Sequence, residues 1–124
     1  MIRHIGEIKS EVIELLDLKI EKSNLIYLGD SNIQHMIDTH PYDYNRYGEY
    51  ISEIVNNPDY VGLNKKDNSI EYVKEFIENN KYVKVAVRIS TNGKYYARSI
   101  YTLNNNRVKN FIENKTLLPI DKIV

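Results

Sequence analysis

The chain has 124 residues with 17 Lys+Arg, 17 Asp+Glu, three His and no Cys, and a formal net charge of zero. That length suits one domain around one core, and the lack of cysteine excludes disulfide frameworks, thiolate zinc sites and thiol nucleophiles. No apolar run reaches the roughly 18–20 residues of a membrane-spanning helix and the first residues lack a signal-peptide core, so a cytoplasmic location is expected.

Ile5, Ile8, Val12, Leu15, Leu16 and Ile20 fall at helical spacing and predict an amphipathic helix over residues 1–24. Its outer face, with Glu7, Glu11, Glu14, Asp17 and Glu21 among lysines, is that of a solvated helix. The apolar run Leu25-Ile26-Tyr27-Leu28 ends at Gly29-Asp30, where Asp30 or Ser31 suits the N-cap of a short helix carrying His35. Pro41 disfavours helical backbone at His40, so this helix should stop at Thr39. Residues 42–50 read as an aromatic polar loop, followed by a second short helix through Ile51, Ile54 and Val55 that Asn57-Pro58-Asp59 ends.

Strand signals dominate from residue 60. Residues 60–63 form a short apolar run, residues 82–89 and 95–103 are rich in β-branched and aromatic side chains, and Asn92-Gly93 between the latter two predicts a hairpin. Residues 68–80 fit either a helix or a strand by periodicity. Val108, Phe111 and Ile112 mark a short closing helix. Helices first and a mostly antiparallel sheet afterwards is an α+β arrangement.

Two histidines, His35 and His40, lie five residues apart, and only histidine titrates near neutral pH without perturbation. On a continuous helix they would diverge by about 140°. Pro41 removes that constraint by turning the backbone at His40. The charge is also divided: residues 1–62 carry 5 basic and 11 acidic side chains, residues 63–124 carry 12 and 6. The second half is therefore the one that suits a phosphate backbone. Neither a Gly-rich phosphate loop nor a metal-ligand spacing such as His-Glu-x-x-His occurs, and no cofactor is expected.

Five segments in order, Ile26-Tyr27-Leu28, His35-Met36-Ile37-Asp38-Thr39-His40-Pro41, Ile54-Val55-Asn56-Asn57-Pro58-Asp59-Tyr60-Val61-Gly62, Ser69-Ile70-Glu71-Tyr72-Val73-Lys74 and Ala97-Arg98-Ser99-Ile100-Tyr101, resemble the phage and mobile-element nucleases of the barnase, EndoU, colicin and RelE superfamily. The resemblance covers roughly residues 25–113, leaves the first helix outside, and implies a nuclease domain over residues 25–124. It implies N-terminal helices packed on one face of a four-stranded antiparallel meander, with residues 69–77 a strand. It further implies metal-independent RNA cleavage, as in toxins and phage effectors; because an unrestrained ribonuclease is toxic to its host, a neutralising antitoxin or immunity protein is the expected partner.

Cutting RNA without a metal requires a base at the 2′-hydroxyl, an acid at the 5′-oxygen and donors for the phosphoryl charge. The resemblance makes His35 and His40 the acid–base pair in either order, Lys74 the transition-state cation, and Ser99 and Tyr101 the phosphate-orienting hydroxyls. Ser99 and Tyr101 are two apart and share a face on a regular strand. Arg88 and Arg98 are candidate phosphate clamps, and Tyr44, Tyr47 and Tyr50 candidate base-stacking platforms. The alternative reading is a catalytically inactive RNA- or protein-binding regulatory module of the same fold.

Overall fold

The structure, a computed structural model, describes residues 1–120. Seven strands form one mixed sheet: β1 (Ile2–Glu7), β2 (Leu25–Gly29), β3 (Tyr60–Leu63), β4 (Ile70–Phe76), β5 (Lys81–Ile89), β6 (Tyr95–Leu103) and β7 (Leu118–Pro119). Their order is β1-β2-β6-β5-β4-β3-β7. The expected meander lies within it as β3 to β6, every neighbouring pair antiparallel. The four-stranded expectation is corrected at both edges, because β1 and β2 join through a parallel β2–β6 contact and β7 pairs with β3.

The largest departure is at the start of the chain. Residues 2–7 form β1 rather than a helix, and only Ser10–Leu16 (α1) is helical. Gly6 disfavours a helix, and β1 gains an antiparallel ladder with β2. A bulge at Ile5 is held by α4 (Ile51–Asn56), whose neighbour-spaced Ser52 Oγ and Asn56 Nδ2 both donate to the Ile5 carbonyl. A Cβ on Gly6 would lie 2.4 Å from the Asn56 amide oxygen, so glycine is what permits this approach.

The helix carrying His35, α2 (Asp30–Thr39), stops where Pro41 predicts. Pro41 then opens a new helix, α3 (Pro41–Tyr47), instead of the expected loop. Proline suits a first helical position because its missing N–H and fixed φ cost nothing there. A single 3₁₀ turn at Gly48–Tyr50 leads into α4. Residues 70–76 are a strand, and the hairpin turn places Gly93 at φ +83°, which glycine adopts without strain. Helix α5 (Asn105–Glu113) is capped by the Asn104 side chain, which accepts from the Asn106 and Arg107 N–H groups.

Strand alternation sends Ile26, Leu28, Ile70, Tyr72, Val83, Val85, Val87, Ala97 and Ile100 to one face, where they are buried against Val12, Met36, Ile51, Ile54 and Val55 of α1, α2 and α4. On the other face, Val73, Tyr82 and Leu103 pack at one end with Val108 and Phe111 of α5. The helices thus lie on both sides of the sheet, not one.

Candidate active site

The β2–β6 contact lasts for two residue pairs, Ile26 with Tyr95 and Tyr27 with Tyr96. Among the described residues no strand pairs with the second half of β6 on that side, and the α2–α3 junction lies against it. Asp43 fixes the junction there, accepting from both the backbone N–H (3.1 Å) and the hydroxyl (2.9 Å) of Thr102. His40 sits in the junction with φ −139° and ψ 64°, half-buried. Its imidazole stacks on the Tyr101 ring, with centroids 5.1 Å apart and planes 24° from parallel.

Tyr101 stands opposite Lys84 of β5, whose ammonium lies 4.5 Å from the centre of the same ring. Lys84 also pairs with Glu71 of β4 at 2.8 Å, both side chains little exposed. Burial alone would lower the Lys84 pKa. The hydrogen bond to Glu71, the interaction with Tyr101 and the Glu71 charge outweigh it and hold the ammonium above its ordinary range. Beside this pair opens a groove of about 790 Å³, with Lys65, Lys66, Arg107 and Lys115 among its lining residues. No group of three or more His, Cys, Asp or Glu side chains arranged to hold a metal occurs among the described residues.

Ser99 and Tyr101 do share a face, opposite Ala86 and Lys84. They reach it through a bulge. Val87 pairs with Ala97 and Ala86 with Ser99, so Arg98 is an extra residue. In a regular ladder continued from the hairpin turn, Ser99 would face Val85 and enter the core. The bulge instead lets Ala97 and Ile100, three apart, stay buried while Ser99 and Tyr101 turn outward.

The expected constellation is only partly assembled. Lys74 pairs with Val83 and so lies on the core face of the sheet, where its ammonium donates to the Asn57 carbonyl at 2.9 Å. It caps the C-terminal end of α4, which suits a cation, and it is not brought to Tyr101. His35 is exposed on α2, and its backbone carbonyl accepts from Thr39 Oγ1. Arg88 is half-exposed and 3.6 Å from Asp67. Arg98 occupies the bulge, its buried Nε without a hydrogen-bond partner among the described residues. The three tyrosines expected to stack on bases are otherwise engaged. Tyr47 is buried on Phe76, Tyr50 meets the same ring edge-on, and Tyr44 packs against the core and beside Gly48.

Lys84 escaped the sequence reading, although it lies in the clearest predicted strand. Its partnership with Tyr101 depends on the Arg98 bulge, and no residue type there announces one.

The profile of the family described as phage-Barnase-EndoU-ColicinE5/D-RelE like nuclease3 matches residues 3–110. The match includes β1 and α1, which the resemblance had placed outside. No curated protein and no solved structure matches the chain. The match spans most of the chain, which belongs to this phage-type family of barnase-, EndoU-, colicin- and RelE-like nucleases.

Proposed function

We propose that the chain is a metal-independent endoribonuclease that cleaves RNA by transphosphorylation. The observation that carries this reading is the stack of His40 on Tyr101 with the Lys84 ammonium against the same ring. A base removes the 2′-hydroxyl proton, the 2′-oxygen bonds to phosphorus, the P–O5′ bond breaks, and an acid protonates the departing oxygen, leaving a 2′,3′-cyclic phosphate. His40 is one proton-transfer group; His35, one helical turn earlier and exposed, is the other candidate, and their order is open. Lys84 takes the charge-stabilising role expected of Lys74, while the Ser99 and Tyr101 hydroxyls orient the phosphate.

The test is incubation of the purified protein with end-labelled RNA in EDTA. His40→Ala should slow cleavage about a hundredfold or more, and His35→Ala should slow it too. Cleavage that survives both substitutions, or that the chelator abolishes, refutes the mechanism. A phage or mobile-element effector of this kind needs a neutralising antitoxin or immunity protein; normal host growth on expressing the active chain alone would argue against that partner. One observation favours an inactive RNA- or protein-binding module instead: Lys84 is already paired with Glu71, and Lys74 lies on the other face. Tight RNA binding by the wild-type chain without cleavage would establish that second reading.

A further inference from the structure

We propose that the uncovered face of β1, β2 and the first half of β6 is a stacking platform for single-stranded RNA bases beside the scissile phosphate. This rests on the nuclease reading for its choice of RNA, and it extends that reading to residues outside the site.

Three rings on three adjacent strands form a ladder. His4 pairs with Tyr27, and Tyr27 with Tyr96. The ring centres are 5.9 and 6.0 Å apart, with planes tilted by 60° and 42°. Alternation places Ile26 and Leu28 in the core and Tyr27 on the opposite side, and His4 is exposed. These rings therefore do no work in the core. Their immediate surroundings are polar and cationic: the Lys94 ammonium lies 5.2 Å from the Tyr27 ring centre, the Asn92 amide donates to the Tyr96 hydroxyl at 3.2 Å, and Arg88 stands opposite Tyr96. The Arg88–Asp67 contact is about 40% exposed on both sides and 3.6 Å long, so the guanidinium can exchange it for a phosphate.

Two features select the occupant. Cations flanking aromatic faces match a polyanion whose bases are free to stack, which a duplex does not offer. The ladder also runs into the candidate site, because Tyr96, Ser99 and Tyr101 follow one another along the same face of β6 through the Arg98 bulge. A strand laid across Tyr27 and Tyr96 reaches His40 without changing face.

Binding of a fluorescent 12-nucleotide oligouridylate, measured by anisotropy in a His40→Ala background, tests the platform without requiring cleavage. Tyr27→Ala and Tyr96→Ala should each weaken binding about fivefold or more, and the Phe variants should restore it. Lys94→Ala should reduce the salt slope by about one unit, the loss of one phosphate contact. Photo-crosslinking of 4-thiouridine RNA to the wild-type chain should label Tyr27 or Tyr96, a readout that holds if an alanine variant misfolds. Unchanged affinity in folded alanine variants, crosslinks confined to other strands, or ring-dependent capture of a protein with no effect on RNA would overturn the proposal. Ring-dependent RNA binding without cleavage would leave the platform standing and sink the nuclease mechanism; cleavage with ring-independent binding would do the reverse.

Discussion

The two faces of the sheet are built by one alternation and serve opposite ends. The face under α1, α2 and α4 buries Tyr72, Val83, Val85, Val87 and Ile100 and carries the stability. The other face, packed by α5 at one end, carries Tyr101, Tyr27, Tyr96 and the little-exposed Lys84–Glu71 pair. The charge asymmetry of the chain runs between helices and strands instead. Glu11, Glu14, Asp38, Asp43 and Glu53 belong to α1–α4, whereas the basic second half supplies β4–β7 and α5.

Substitutions on either side test how separate the faces are. Ile100→Ala, which empties a fully buried site, should cost about 3–4 kcal/mol in chemical denaturation. Loss of less than half of that would mean the core collapses onto the cavity. Lys84→Met leaves the Glu71 carboxylate without its partner and should cost about 2 kcal/mol at neutral pH. Because the folded-state pKa of Lys84 is raised, its contribution is complete below 10.5 and is lost as pH rises through the higher folded value. The wild type and Lys84→Met should therefore converge in stability above that pH, as followed by denaturant midpoints; a constant gap would assign the loss to packing.

Tyr72→Phe is a smaller change with the opposite sign. Among the described residues the buried Tyr72 hydroxyl has no hydrogen-bond partner, and burial drives its pKa far upward, so removing it should stabilise the fold by up to about 1 kcal/mol. A destabilised variant would reveal a buried water. Lys74→Met should matter least, with a cost of about 0.5 kcal/mol from the lost α4 cap and no change in RNA cleavage. Abolished cleavage would return Lys74 to the site and break the separation of the faces.

Local punctuation was legible in the sequence. Pro41 ended α2 at Thr39, Asn92-Gly93 announced the hairpin, and β-branched runs marked β5 and β6. What was hidden depends on partners distant in the chain. Ile5 and Ile8 fit a helical stripe, yet pairing with β2 and the Ser52 and Asn56 contacts make β1 a strand. His40 and Tyr101 are both candidates in the sequence, but their stack follows from the edge of β6 that no described strand pairs beyond Tyr96, which no periodicity reports. Lys74 and Lys84 look alike as strand lysines. Which one meets Tyr101 is decided by register, and register at β6 is decided by one extra residue.

That bulge has a consequence for how the strand tolerates changes in length. A one-residue loss within Arg98-Ser99 would close the bulge and leave Ile100 inward and Tyr101 outward, still opposite Val85 and Lys84. A one-residue loss nearer the end of β6, with the bulge kept, would reverse every side chain beyond it and bring polar groups into the apolar layer. Related chains can therefore gain or drop a residue at this one place and keep the same open face, so aligned lengths at the bulge say less about activity than the parity of the residues after it.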